Sequence, residues 1–142
     1  MWRTLIIIGV LTAVPRLALV AAPCLEYDTV SLAGMLVRQT LPGPPDFKSF
    51  SKGDEPQVIW VLVLDGRICV VDSDPRYRSE YNEREVQLVL GADQYLEYRN
   101  LLGKRVIATG ELLRGGASHQ KRLVLAASDI KKTRVLDYRR RY

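Results

Sequence analysis

Apolar residues in this chain mostly alternate with polar ones over short stretches, the spacing of half-buried strands rather than of helices. Residues 29–40 place Val30, Leu32, Gly34 and Leu36 on one side and Met35 and Val37 on the other. Gly34 inside that run predicts a bulge or sharp coil, as where one strand bends to serve two sheets. Residues 58–64 are apolar on both faces, which predicts a central strand with Trp60 in the core. Asp65-Gly66 comes next. It is the strongest short hairpin signal and predicts a return strand over 67–71. Further strands are predicted over 85–90, 104–114 and 122–127, with Gly110 inside the second and a turn at 115–118. Between the first two, Asp93 is placed to cap a short helix over 94–102. Tyr95, Tyr98 and Leu101/Leu102 fall on one stripe of that helix, and Gly103 stands where a C-terminal cap belongs.

Two long connections interrupt the strands. Residues 41–57 are punctuated by Pro42, Gly43, Pro44, Pro45, Gly53 and Pro56, and they carry Phe47 and Phe50, unusual cargo for a solvated loop. Residues 72–84 are polar and charged and carry Tyr77 and Tyr81. The order strand, strand pair, strand, helix, strand, strand predicts a mainly β protein, a small OB-fold-like barrel of five or six strands with one short helix. Closing such short strands into a barrel removes their exposed edges. An SH3-like barrel or an irregular small sandwich is the alternative.

The first 22 residues have a different pattern. Arg3 gives a positive start, residues 5–14 are almost unbroken apolar, and Leu19-Val20-Ala21-Ala22 ends the stretch in small residues. This is the layout of a secretory signal peptide, with cleavage after Ala21 or Ala22. A membrane span needs about 20 apolar residues, and this run is interrupted by Pro15 and Arg16. The expected organisation is a signal peptide at 1–22, an OB-like domain at 23–130 and a basic tail at 131–142. The mature protein is then periplasmic or secreted, with no transmembrane segment.

The net charge of +5 is unevenly placed. Losing Arg3 and Arg16 with the signal peptide leaves +3, and the tail alone carries six basic residues against Asp137, so the body is slightly acidic at −2. Such a tail attracts anionic surfaces. The only two cysteines, Cys24 and Cys69, are expected to pair once exported. Closing that loop contributes about 4 kcal/mol in the chain-entropy model. Lipidation of Cys24 is disfavoured because Pro23 stands where a lipoprotein signal has a small residue.

Several motifs together resemble a family of small exported bacterial domains of unknown function with an OB-like core. They are Cys24-Leu25-x-Tyr27, Val30-x-Leu32-x-Gly34, Pro42-Gly43-x-Pro45, Gly53-Asp54-Glu55-Pro56, Trp60-x-Leu62-x-Leu64, Ile68-Cys69-Val70 and the run from Leu102-Gly103-Lys104 to Leu112. The resemblance implies a bacterial envelope or secreted protein and assigns no activity. It also implies several histidines in the loop before the last strand, where this chain has only His119.

Chemistry is sparse. His119 is the sole histidine, and Ser118-His119 adjacency is not a nucleophile–base geometry. No cofactor or metal is expected: Asp72-Ser73-Asp74 opens like a calcium loop, but Tyr77 occupies the position that needs glycine. The candidate binding residues are therefore Phe47, Lys48 and Phe50 in the first loop, Tyr77 and Tyr81 in the second, and His119 in the last turn. The expected function is an exported binding or interaction module without enzymatic activity, its loops 41–57, 72–84 and 114–121 forming a working rim. Phe50 is expected to pack against the barrel and Phe47 to face a partner. The partner would be an envelope protein, a glycan, or an anionic surface met by the basic tail. The alternatives are an inhibitor of an envelope hydrolase, presenting the Pro42–Pro45 segment, and an enzyme gathering His119 with Asp72, Asp74 or Glu111. Single-stranded nucleic-acid binding through the OB face needs a continuous positive groove, which the acidic body argues against.

Overall fold

In the computed structural model, which describes residues 23–116 and 121–134, the alternating pattern becomes six strands and little else. They are β1 (Leu25–Glu26), β2 (Thr29–Pro42), β3 (Pro56–Val71), β4 (Glu80–Val89), β5 (Arg105–Arg114) and β6 (Leu123–Lys132), with helix α1 (Ala92–Glu97) and a 3-10 turn (Arg99–Leu101) between β4 and β5. The proposed signal segment, His119 and most of the basic tail lie outside the described residues.

Pairing runs full circle. β3 pairs antiparallel with β2, β2 with β5, and β5 with β6; β6 pairs parallel with β4, and β4 pairs antiparallel with β3. Each of these five strands therefore has a partner on both sides, and β1 adds a short parallel pairing along β3, Leu25 opposite Val70.

Gly34 is the corner expected of it. It pairs with Leu64 of β3 and with Val106 of β5, so β2 changes partners there. A Cβ at Gly34 would run into the Val63 carbonyl, so only glycine allows the two backbones this close. Gly110 plays the same part at the irregularity between β5 and β6, facing the Ala126 carbonyl.

Side chains alternating inward fill the centre. Leu36, Leu62, Val70, Val86, Val106, Leu112, Leu123 and Leu125 are fully buried, and Trp60 belongs to the same core. Ile59 and Val61 on the opposite pleat are buried too, as an all-apolar strand requires. The stripe expected on the helix holds: Tyr98 is buried, and Tyr95, Leu101 and Leu102 pack against the core.

The loop expected over 72–84 ends at 79, because β4 begins at Glu80 and carries Tyr81, and Lys131 and Lys132 of the expected tail belong to β6. Two turn and cap expectations also fail. Asp65-Gly66 makes no hairpin, because β3 continues through it to Val71. A primed hairpin turn needs positive φ, and neither residue has it. Asp65 is instead drawn to Arg105 on β5 in a bidentate ion pair, while β3 slips register against β4 between Val63 and Ile68. The long strand bends there rather than reversing. Asp93 does not cap the helix either; it lies in the first turn, Gly91 takes the cap position, and the Gly91 N–H donates to Gln94 Oε1 at 2.9 Å.

Candidate functional site

The first loop, 43–55, is built on one buried carboxylate. Asp54 is 5% exposed and accepts the backbone N–H groups of Asp46 at 3.0 Å and of Lys48 and Ser49 at 2.7 Å each. These bonds, that from Ser49 foremost, hold its carboxyl below the usual carboxylate range. The neck is tied by Gly43 N–H to Glu55 O at 2.7 Å and Glu55 N–H to Pro44 O at 2.8 Å. Phe47, at φ 57°, sits half-buried in the left-handed region.

Phe50 opens a one-turn 3-10 helix, Phe50–Lys52, which ends at Gly53 with φ 95°. Its ring is 51% exposed, with Lys48 and Lys52 exposed on either side. The expectation that Phe50 packs against the barrel is thereby corrected. Hydrogen bonds to Asp54 and across the neck fix this loop, so it does not need Phe50 as an apolar anchor. Asp54 itself was missed by motif reasoning, although an acidic residue closing a loop rich in Ser, Gly and Pro is the composition that lets a carboxylate collect nearby N–H groups.

The second cluster lies at the other end of β3, where the chain leaves Val71. The Arg114 guanidinium stands 5.0 Å from the Tyr27 ring centroid and 5.1 Å from that of Tyr77. It donates to Asp72 Oδ2 at 2.7 Å and to the Arg78 carbonyl at 2.6 Å. Two rings, a carboxylate and a carbonyl thus converge on one planar cation, a use suited to arginine. The Tyr27 hydroxyl is buried with no hydrogen-bond partner, and burial raises its pKa, opposed by the Arg114 charge.

Around this clamp the charges are paired. Asp74 binds Arg76, Arg122 reaches Glu83 at 3.2 Å and Glu80 at 3.7 Å, and Lys121 bonds Glu85, which also accepts from Gln39 at 3.0 Å. The Lys121 bond is the main cause of a lowered Glu85 pKa. Asp72 and Asp74, the two acids of the calcium-like motif, are each engaged by an arginine. Among the described residues no group of three or more potential metal ligands gathers.

Of the candidate residues, Tyr77 is 54% exposed and belongs to the second cluster, Tyr81 is 63% exposed on β4, and Phe47, Lys48 and Phe50 belong to the first loop. The loops 43–55 and 72–79 leave opposite ends of β3, whereas the end of β5 is tied to the second loop by Arg114, and Arg122 before β6 reaches the start of β4. A shallow hollow near the first loop is lined by Val37, Arg38, Thr40, Val58 and Gly103. Among the described residues no helix is long and apolar enough to cross a membrane.

Residues 85–131, the stretch from β4 through α1 and β5 into β6, match a family described as a domain of unknown function, DUF4431. Over that stretch, which includes the run from Leu102 to Leu112, the chain is similar to a family without an assigned activity. No curated protein matches the chain.

Proposed function

We propose that this protein is an exported, non-enzymatic binding module with an OB-like barrel, and that loop 43–55 is its contact surface for a protein partner in the bacterial envelope. The pairing order supports the OB-like reading. A five-strand circuit with one parallel pair, and a helix between its third and fourth strands, is the arrangement that carries ligands on the loops between strands one and two and between four and five. Loop 43–55 occupies the first of those positions. Export rests on the pattern of residues 1–22 and on the Cys24–Cys69 disulfide, a bond that persists in oxidising compartments.

The observation that carries the proposal is the pairing of rigidity with exposure. Asp54 holds the backbone N–H groups of Asp46, Lys48 and Ser49 just ahead of a solvent-facing Phe50, and the Gly53 N–H donates to the Phe50 carbonyl behind it. A pre-organised loop loses little conformational entropy on binding, and an exposed aromatic supplies the anchor that fills a partner's pocket. The same rigidity favours a narrower form of this reading, in which the partner is an envelope hydrolase and the loop inhibits it.

The test is capture from a bacterial envelope extract by the immobilised mature domain, beside Phe50→Ala and Asp54→Ala variants. The expected result is a protein retained by the wild type and lost with Phe50→Ala while the melting temperature holds. Equal retention by all three would remove the loop from the function. Retention only on anionic lipid vesicles or on isolated cell-wall glycan would replace the protein partner with one of those surfaces.

A further inference from the structure

We infer that the Cys24–Cys69 disulfide controls, through Tyr27, the order of the loop 72–79, so that this end of the protein is assembled only in the oxidised state. The Arg114 guanidinium is in contact with two rings, those of Tyr27 and Tyr77. Tyr77 and the Arg78 carbonyl belong to loop 72–79, and Asp72 begins it, so Arg114 is the chief tie between this loop and β5. The Tyr27 contact of the guanidinium depends on the segment before β2.

That segment is slight. β1 has two residues, paired parallel to Val70 and Val71. Such a short ladder contributes little by itself, and a parallel pair is weaker per residue than an antiparallel one. The disulfide joins Cys24 to Cys69 with Cα atoms 4.8 Å apart and so fixes the position three residues before Tyr27. On the other side, the Asp28 carbonyl accepts from Leu112 N–H at 2.9 Å, and β2 is paired to β5 from Thr29 onward. Tyr27, which with Leu25 packs against the margin of the core, is therefore held on one side by the sheet and on the other by a bond that a reductant can open.

Opening it is a two-electron step. A dithiol reductant gives two electrons and two protons to the S–S bond and closes to its own disulfide, leaving Cys24 and Cys69 as thiols. The five-strand circuit uses none of Pro23–Glu26, so reduction raises local opening of β1 and Tyr27 while the core strands stay paired. With Tyr27 displaced, Arg114 loses one of its two ring contacts and the loop loses packing that orders its tie. Unlike the proposed role of loop 43–55, this inference concerns the opposite end of β3 and is read without any partner.

Trypsin provides the measurement, because Arg76 and Arg78 are exposed in the controlled loop. Cleavage after Arg78 is timed in oxidised and dithiothreitol-reduced protein, for the wild type and for Tyr27→Leu, with Trp60 fluorescence reporting on the core. The expected result is at least tenfold faster cleavage of the wild type on reduction. Tyr27→Leu should be cleaved at that faster rate in both redox states. Three results would overturn the inference: no change on reduction, an equal acceleration in Tyr27→Leu, or loss of the Trp60 signal on reduction, which would make the bond a global staple.

Discussion

The Tyr95 ring meets the indole of Trp60 edge-on, with centroids 5.2 Å apart and planes at 85°. Through this contact the short helix α1 seats on the central strand β3. Edge-to-face pairs contribute about 0.5–1.5 kcal/mol beyond the area they bury. A double-mutant cycle of Trp60→Ala and Tyr95→Ala, followed by urea unfolding, should return a coupling in that range. Trp60→Ala alone should cost about 3–5 kcal/mol, as for other buried tryptophans.

Three glycines make a graded test of backbone approach. Ala at Gly34 or Gly110 forces a methyl into a neighbouring strand's carbonyl, whereas Gly66 has open space around its Cβ position and no positive φ. Gly34→Ala and Gly110→Ala should each destabilise by about 1–3 kcal/mol. Gly66→Ala should stay within about 0.5 kcal/mol. Thermal melts of the three variants check the order.

The two loop phenylalanines should part company in a stability assay. Phe50→Ala removes an exposed ring and should change unfolding free energy by no more than about 0.5 kcal/mol. Phe47→Ala removes a half-buried ring and should cost more than that, up to about 3 kcal/mol. The ranking is read from denaturant midpoints at constant slope, and a reversed ranking would mean that the loop rests on Phe50 after all.

Loop 43–55 should loosen in acid before the barrel does. The folded-state pKa of Asp54 is depressed, so its stabilising contribution is complete above the unfolded carboxylate value of about 3.9 and is lost as pH falls through the lower folded value. Hydrogen exchange at the Lys48 and Ser49 amides, measured from pH 5 downward and corrected for intrinsic rates, should lose protection in that window. In Asp54→Asn the pH dependence should vanish and protection should be weak throughout.

The sheet was more legible in the sequence than the site. The alternation around Leu32 and Leu36, imperfect as it is, the doubly apolar run at Trp60 and the Tyr95–Tyr98 stripe report on burial, which is a local property of pattern. Gly34 was readable for the same reason, since a glycine inside a strand has few other uses. Asp65-Gly66 misled because its turn preference is a local bias of small size, outweighed here by the Arg105 ion pair and by the pairing with β4 that resumes at Ile68 and Val70. Phe50 was misplaced because hydrophobicity does not report whether a loop is held by polar bonds. The Arg114 clamp draws on Tyr27, Asp72, Tyr77 and Arg78, residues brought together only when β5 lies beside the start of β2. No spacing in the chain announces it.

The parallel contact of β4 with β6 makes the molecule's integrity depend on its last-formed piece. Until residues 123–132 exist and find Gln87, Leu88 and Val89, the free sides of β4 and β5 are unpaired edges, templates for joining another chain. A chain made residue by residue therefore passes through an adhesive intermediate until β6 has emerged. Closure demands contacts between segments far apart along the chain, so it is slow by the standard of helical proteins. In a crowded compartment, that interval is when a holding chaperone would matter most to this fold.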